Sequence, residues 1–199
     1  EERRAQAQHH VNQARAQASA AASALSAARR TAAERVGQQV TEALRELCMK
    51  GARLEAHLEP RAPREGDEAV YLFGGDGKDL PPRRLTREGW DRCELLLAPN
   101  PGAEPRPLQR IASGGELSRV MLALKRILGQ ADGVATYIFD EVDTGIGGAA
   151  ANQVGRQIRV LAESKQVLCI THLAPIAAFA DDHLLVEKRF EDGRTRTLI

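Results

Sequence analysis

Apolar and polar positions divide the chain into an N-terminal stretch with a helical period and a longer remainder with short, strand-like runs. Over residues 1–50, small and apolar positions recur at alternating steps of three and four, as on one face of an α-helix. The stretch is rich in Ala, lacks Pro and holds one Gly, so a helix of many turns is predicted. The repeating positions are Val11, Ala14, Ala18, Ala21, Leu25, Ala28 and Ala32, then Val36, Val40, Ala43 and Leu47 after one extra step of four.

This repeat is typical of a coiled coil, in which two helices pack their apolar seams together. Because Ala buries little area, the partner helix has to lie close. An amphipathic helix in a bundle is the alternative, although no later segment has a matching long helical pattern. We expect residues 1–49 to form a coiled-coil arm helix. Since the sequence starts inside the helical pattern, we also expect it to be a piece of a longer chain.

After Gly51 the period changes to that of short strands. The segments RLEAHLEP, EAVYLF and CELLLAPN predict an antiparallel β-meander over residues 50–107. Residues 60–92 include a stretch dense in Gly, Pro and charge, which predicts a mobile loop.

From residue 108 to 199, helical and strand patterns alternate. Helices are predicted at GGELSRVMLALKRILGQ, GGAAANQVGRQIRVLAES and LAPIAAFA, and strands at VATYIF, QVLCIT and HLLVEKRF. Apolar strands separated by helices predict a mostly parallel sheet with helices covering both faces. The expected fold class is therefore α/β, with a small antiparallel part and a long N-terminal helix.

Net charge does not indicate a class of partner, because the sequence has 28 Lys and Arg residues and 27 Asp and Glu residues. A local DNA patch is conceivable at Arg83, Arg84 and Arg87 beside Trp90, where cations would meet phosphates and the indole would stack on a base. A solvated loop is the simpler interpretation of the same residues.

The cysteines and the apolar runs bear on location. Cys48, Cys93 and Cys169 lack metal-ligand spacing and are odd in number, which favours free thiols in a reducing cytosol. No run is long enough to cross a bilayer, and no signal-peptide pattern opens the sequence. We expect a cytoplasmic protein without a membrane partner.

Adjacent carboxylates follow one of the predicted buried strands. Asp140 and Glu141 come directly after Phe139, and Asp143 follows two residues later. Ligands of open α/β sheets bind at the carboxyl ends of the strands. One acid there can hold Mg²⁺, and its neighbour can orient or deprotonate a water in phosphoryl transfer. A lone Asp in this place is often only a turn residue.

Two further signals lie on the neighbouring elements. Ser113, Gly114, Gly115 and Glu116 open a predicted helix, where backbone N–H groups and the helix dipole favour an anion. The same residues also fit a plain capping box. His172 ends the next strand and either contacts a phosphate, steadies a water or is a turn residue. Together the three signals predict a phosphate site.

Four motifs carry a family resemblance. ASGGELSR resembles the signature motif of ATP-binding-cassette ATPases, YIFDE their Walker B strand, VDTGIGG their D-loop and ITH their switch histidine. The arm points to the structural-maintenance-of-chromosomes (SMC) branch. LLAPNPG, PRPLQRIASGGELSRVMLALK and VLCITHLAPIAAFAD most resemble the RecN family of bacterial DNA repair proteins.

The resemblance implies an ATP-dependent action on DNA in double-strand-break repair and recombination, by an SMC-like protein associated with the nucleoid. It implies that Asp140 serves Mg²⁺, that Glu141 is the catalytic base and that His172 senses the γ-phosphate of ATP. Asp143 would act in the D-loop. The nucleotide site of a second head would be completed by Ser113, Gly114, Gly115 and Glu116.

One family motif is absent from this sequence. The Walker A loop, G-x-x-x-x-G-K-[ST], holds the phosphates of ATP, and no segment here matches it. In the family this loop lies in the N-terminal half, before an arm that goes out and returns. We therefore expect the C-terminal half of an ATPase head (residues 50–199), inactive alone, whose partners are the N-terminal half, a second head and DNA. The alternative is a non-enzymatic coiled-coil scaffold that binds DNA.

Overall fold

The computed structural model describes residues 1–68, 72–73, 82–111, 113–129, 132–191 and 194–199. The contacts among its residues divide the chain into two compact units. Unit 1 comprises Glu1–Thr41 and Gly51–Arg110, and unit 2 comprises Glu42–Lys50 and Ile111–Ile199. The helices are α1 (Glu2–Glu46), α2 (Gly114–Leu128), α3 (Ala149–Ala162) and α4 (Ala174–Ala177), with a short 3-10 helix at Leu108–Arg110. The strands are β1 (Arg53–Pro60), β2 (Leu72–Phe73), β3 (Arg83–Arg84), β4 (Asp91–Ala98), β5 (Arg106–Pro107), β6 (Thr136–Phe139), β7 (Gln166–Cys169), β8 (Glu187–Glu191) and β9 (Arg194–Leu198).

The long N-terminal helix is confirmed, since α1 runs without a break for 45 residues. It ends in a tight turn in which Met49 N donates to Leu44 O over 2.9 Å and Cys48 has a φ of 63°. No described helix has the length and apolar character needed to cross a bilayer. The coiled-coil partner of α1 and the division of the chain at residues 49 and 107 stay predictions.

The antiparallel part of unit 1 is built around β1 and β4. These strands pair over eight residues with Leu54 opposite Leu97, and β5 pairs with the other edge of β4. The strands that lie between them in sequence, β2 and β3, form a separate antiparallel pair. The predicted antiparallel strands therefore exist, but they do not pair in the sequential order of a meander.

Helix α1 approaches the β1 strand closely. A Cβ added at Gly37 would lie 3.1 Å from the carbonyl oxygen of Leu54, and Leu54 N donates to Thr41 Oγ1 over 3.0 Å. The single Gly in the helical stretch therefore lies where the helix and the strand backbone come together, and a side chain would hold them apart.

A small cluster packs the first half of α1 against the strands of unit 1. Ala22, Phe73 and Trp90 are buried together, and Ser26 Oγ donates to the buried Asp91 carboxylate over 2.9 Å. The predicted seam is offset from this face, because Leu25 is 39% exposed while its neighbours Ala22 and Ser26 are buried. The repeat alone did not reveal that unit 1 offers its own apolar surface to the helix.

The predicted loop over residues 60–92 is only partly covered, since residues 69–71 and 74–81 lie outside the described ranges. The Asp67 carboxylate accepts hydrogen bonds from Arg84 Nε over 2.9 Å and from Arg64 N over 2.7 Å. Trp90 is 6% exposed and Arg83 lies over its ring. An indole buried in this way is not available to stack on a base. The DNA-patch interpretation is therefore wrong for Trp90.

Unit 2 is organised by a parallel pair of strands and two long helices. β6 and β7 pair with Ile138 opposite Leu168, and α3 connects them. Tyr137 and Phe139 are buried on one side of the sheet. The end of α1 joins this unit through a triangle of hydrogen bonds, which Glu46, Arg126 and Gln157 form with one another.

The predicted covering of the sheet on both faces is wrong within the described residues. Ile138, Leu168 and Ile170 are 68%, 44% and 58% exposed and alternate with residues that point into the unit. The predicted strand HLLVEKRF is also displaced, because β8 begins at Glu187 and pairs antiparallel with β9. Leu184, Leu185 and Val186 precede it and are exposed. Continuous apolar sequence therefore does not imply burial in this chain.

At the amino end of β6, a charged cluster surrounds Tyr137. Its hydroxyl donates to both oxygens of Asp132, at 2.5 and 2.7 Å, and Lys125 Nζ bonds the same carboxylate at 2.7 Å. The hydrogen bond from Lys125, followed by that from Tyr137, lowers the pKa of Asp132 from 3.8 to about 2. Burial and the neighbouring Asp132 raise the pKa of Tyr137 to about 12.

This cluster predicts an acid-sensitive contribution to stability. Because the pKa of Asp132 is depressed in the folded state, its stabilisation is complete above the ordinary value of 3.8 and is lost as the pH falls toward 2. Asp132→Asn should therefore lower the free energy of unfolding near neutral pH and have little effect at the acid end. Urea denaturation across this range measures the difference, with Asp182→Asn as the exposed carboxylate control. If Asp132→Asn lowered the free energy of unfolding equally at neutral and at acid pH, the stabilisation would not come from the ionised Asp132.

The buried indole gives a second prediction. Trp90 is the only Trp in the sequence, so tryptophan fluorescence reports on it alone. We expect blue-shifted emission, weak quenching by iodide and no change when single-stranded DNA is added. A matched reporter combines Trp90→Phe with Leu185→Trp, which places the indole at an exposed position and should quench strongly. Quenching of Trp90 itself by DNA would restore the stacking interpretation.

Candidate functional site

The predicted site residues of β6 and β7 lie at one edge of the parallel pair. Asp140 follows the last residue of β6, and Thr171 and His172 follow shortly after the end of β7. Ile170 N donates to Phe139 O over 2.9 Å, which continues the strand pairing up to this edge. The carboxyl ends of parallel strands are where open α/β sheets bind ligands.

The two adjacent carboxylates are separated by a sharp turn. Glu141 has a φ of 56°, and its N–H donates to Asp140 Oδ1 over 2.8 Å. Thr144 N then donates to Glu141 O over 3.1 Å and closes the turn. A left-handed backbone at a residue other than Gly costs about 1–2 kcal/mol, so neighbouring contacts have to hold it.

The start of α2 lies directly against this turn. Ser113 caps the helix, and its Oγ accepts from Glu116 N over 3.4 Å. A Cβ added at Gly114 would collide with Oε2 at the end of the Glu141 side chain. A Cβ at Gly115 would lie 2.8 Å from the Thr144 Cβ and 3.1 Å from the carbonyl oxygen of Glu141. The two glycines therefore let the turn and the helix N-terminus meet without side chains between them.

Two residues that the sequence analysis did not single out hold the turn in place. Ser118 Oγ donates to Asp140 O over 2.7 Å. Arg119 is buried and its Nη1 donates to Thr144 O over 2.9 Å and to Val142 O over 3.4 Å. Burial lowers the pKa of Arg119, although Glu116 and Cys48 oppose the shift. The sequence feature that could have indicated Ser118 and Arg119 is their position in the ELSR segment, which overlaps the end of the signature motif and directly follows the glycines.

Asp143 points into its own unit. The residue is 4% exposed, and its carboxylate accepts from Thr171 Oγ1 over 2.5 Å and from His172 N over 3.1 Å. Burial acts to raise the pKa of Asp143, but the hydrogen bonds from Thr171 and His172 outweigh it and the pKa is lowered. The His172 side chain is 78% exposed, and its Nδ1 lies 3.1 Å from Asp143 Oδ2.

The structure thus brings the predicted residues to one edge of unit 2. A Cβ added at Gly114 or Gly115 would meet Glu141, Asp140 directly precedes Glu141, and Asp143 bonds His172. Their chemical roles remain predictions. The predicted site residues are Ser113, Gly114, Gly115, Glu116, Asp140, Glu141, Asp143 and His172.

The chain is similar in sequence to several curated DNA repair proteins. It is 47% identical over 166 residues to the DNA repair protein RecN of Streptomyces coelicolor, an alignment that covers 83% of this chain and 27% of that protein. It is 38% identical over 170 residues to RecN of Bacillus subtilis, covering 85% and 28%. With RecN of Mycobacterium leprae it shares 40% identity over 196 residues, covering 96% and 32%.

The chain belongs to the RecN family. It spans between 27% and 32% of the length of these relatives. No protein-family model matches it.

Solved structures show what fold this RecN-family chain has. The Smc head domain with an extended coiled coil from Pyrococcus furiosus aligns with a TM-score of 0.50 at 18% identity, over 83% of this chain and 34% of that one. The Smc head domain with a coiled coil and joint from Pyrococcus yayanosii aligns with a TM-score of 0.50 at 19% identity, over 83% and 26%. The predicted α/β class and the likeness to an SMC-type head are confirmed.

One exposed carboxylate at this edge is of the kind that Mg²⁺ binds. Within the described ranges, no group of three or more His, Cys, Asp or Glu side chains is arranged to hold a metal ion. Mg²⁺ is usually bound through one or two carboxylates, with water and substrate phosphates supplying the other ligands. The exposed Asp140 at the strand end provides one such carboxylate.

Gly115 is the glycine of this site that should tolerate a side chain least. An added Cβ there would meet the Thr144 Cβ and backbone oxygens, whereas at Gly114 it would meet the flexible end of the Glu141 side chain. Gly115→Ala should destabilise the chain by about 1–3 kcal/mol through overpacking, despite the better helix propensity of Ala. Gly147→Ala is the matched control, because nothing lies within 4 Å of its Cβ position, and it should stay within about 0.5 kcal/mol of the parent. Urea denaturation of both variants decides the point. Equal stabilities would show that the turn does not press against α2 as described.

Proposed function

We propose that this chain is the C-terminal half of a RecN-like ATPase head with part of its coiled-coil arm, and that the complete protein acts in DNA double-strand-break repair and recombination. One observation carries the proposal. The turn with Asp140 and Glu141, at the carboxyl end of β6, lies against the glycines at the N-terminus of α2. Carboxylates for a metal and a water, next to backbone N–H groups that favour anions, suit phosphoryl transfer. The relatives named as DNA repair proteins support the biological role.

The proposed reaction is the hydrolysis of ATP to ADP and phosphate. Asp140 would hold Mg²⁺, which when bound neutralises charge on the phosphates. Glu141 would accept a proton from the attacking water as general base. His172 would sense the γ-phosphate from the end of the neighbouring strand. The turn gives Glu141 a fixed backbone, since Arg119 and Ser118 hold the carbonyls around it.

The missing phosphate loop is assigned to an N-terminal half of the same head. Support comes from the bare face of the parallel sheet, where Ile138, Leu168 and Ile170 are exposed in a row. Apolar surface of this kind is normally covered by another layer of the same fold. Because this sequence has no Walker A motif, a covering lobe that brings the motif would complete both the sheet and the site.

A second head would complete the nucleotide site from the other side. In this assignment ATP binds between two heads, and the second head offers Ser113, Gly114, Gly115 and Glu116, while Asp143 acts in the D-loop. Hydrolysis then separates the heads. Residues 1–49 would be an arm helix, residues 50–107 the antiparallel part and residues 108–199 the α/β lobe. We place the whole protein in the bacterial cytoplasm, in contact with DNA.

An ATPase assay on a reconstituted head tests the proposal. The chain alone should release no phosphate from ATP, because positioning by the phosphate loop is missing. Mixed with an N-terminal half that carries Walker A, it should turn over, and Glu141→Gln should lower kcat by about 10²–10⁴-fold while ATP binding persists. Glu163→Gln, an exposed Glu at the end of α3, is the matched control. Turnover by the chain alone, or unchanged kcat in Glu141→Gln, would overturn the assignment.

A further inference from the structure

A single oxygen of Asp143 organises the segment that follows β7. Asp143 Oδ2 accepts from Thr171 Oγ1 at 2.5 Å and from His172 N at 3.1 Å, and it lies 3.1 Å from His172 Nδ1. Thr171 Oγ1 in turn accepts from Leu173 N over 3.0 Å. Backbone and side chains of residues 171–173 are therefore tied to one buried carboxylate.

The chemistry of the pair decides where the imidazole proton lies. An ionised carboxylate only accepts hydrogen bonds, so the nitrogen that faces it has to carry the proton. A neutral imidazole has one N–H, and placing it on Nδ1 leaves Nε2 with a free lone pair. The hydrogen bonds that Asp143 accepts keep this carboxyl ionised despite its burial.

We infer that Asp143 is a positioning residue that fixes neutral His172 as the Nδ1–H tautomer and leaves Nε2 as the ring atom that meets a ligand. The tautomer follows from the hydrogen bonds, whereas its use toward a nucleotide rests on the function proposed above. Phosphate oxygens accept hydrogen bonds and neutral Nε2 also accepts. His172 therefore senses the γ-phosphate through a water molecule that donates to Nε2.

The chain contains an internal comparison for this inference. His57 Nε2 lies 3.1 Å from Glu59 Oε1, and both side chains are half exposed. The same reasoning gives His57 the opposite tautomer, with the proton on Nε2. The two histidines should therefore differ within one sample.

The tautomers are measured by two-dimensional ¹H–¹⁵N NMR of the imidazole rings in the full chain. The spectra are recorded at alkaline pH, where the ¹⁵N shifts of a ring distinguish the nitrogen that carries the proton from the one that does not. We expect the Nδ1–H pattern for His172, assigned by its loss in His172→Gln, and the Nε2–H pattern for His57. Asp143→Asn should reduce the Nδ1–H fraction of His172. Asp181→Asn, which removes an exposed carboxylate bonded to Arg159, should leave it unchanged.

An Nε2–H pattern for His172 in the parent chain, or no change in Asp143→Asn, would overturn the inference. Thr171→Val guards against a folding artefact, because it removes one bond to the carboxylate but keeps the Asp143–His172 contact, so the Nδ1–H tautomer should persist.

The reconstituted head gives a second readout. Asp143→Asn is expected to lower kcat about ten- to a hundredfold with a smaller change in KM for ATP. An unchanged kcat alongside an altered tautomer would refute the positioning role. A parent head without ATPase activity would refute the proposed function instead, and the NMR result on the tautomer would stand separately.

Discussion

The site at the end of β6 depends on the buried guanidinium of Arg119. It donates to the carbonyls of Val142 and Thr144, so the turn that carries both carboxylates is held against α2. A buried cation is costly unless it is well bonded, which is why the backbone carbonyls of a turn are suitable partners. With the turn fixed, Glu141 keeps its left-handed backbone. The position of the acids therefore depends on a residue outside the acidic motif.

Unit 2 places its polar and apolar surfaces in different directions. The carboxyl edge of the sheet gathers the acids and His172, while one sheet face exposes Ile138, Leu168 and Ile170. A polar edge with fixed backbone amides suits charged ligands, and a flat apolar face suits another protein layer. The proposed head uses both surfaces, because the lobe that covers the face would also bring the phosphate loop to the edge. β8 and β9 pair antiparallel with each other, and both strands are exposed.

Local pattern predicted most of the elements but not their partners. The helices α1, α2 and α3 and the strands β6 and β7 appear where period and composition indicated. In the first half of α1 the buried face was offset by one residue, at Ala22 and Ser26, because Ala on every side of a helix gives almost no preference until a partner surface such as Trp90 is present. Toward and just beyond the end of α1, Val40, Ala43 and Leu47 are buried as the repeat predicted. The strand at residues 183–190 was misplaced since apolar residues favour a strand wherever they are, whereas burial requires a neighbour.

For the site, the sequence by itself determined which chemical groups are present and in what order along the chain. It placed Asp140 and Glu141 after a strand, the glycines at a helix start and His172 after the next strand, because strand ends and helix starts have clear local signals. Only the tertiary structure decided that Asp143 faces His172 and that Arg119 holds the turn. These contacts join residues more than twenty positions apart, and no local period encodes them. Side-chain direction and burial depend on packing between elements, so they became visible only in the folded chain.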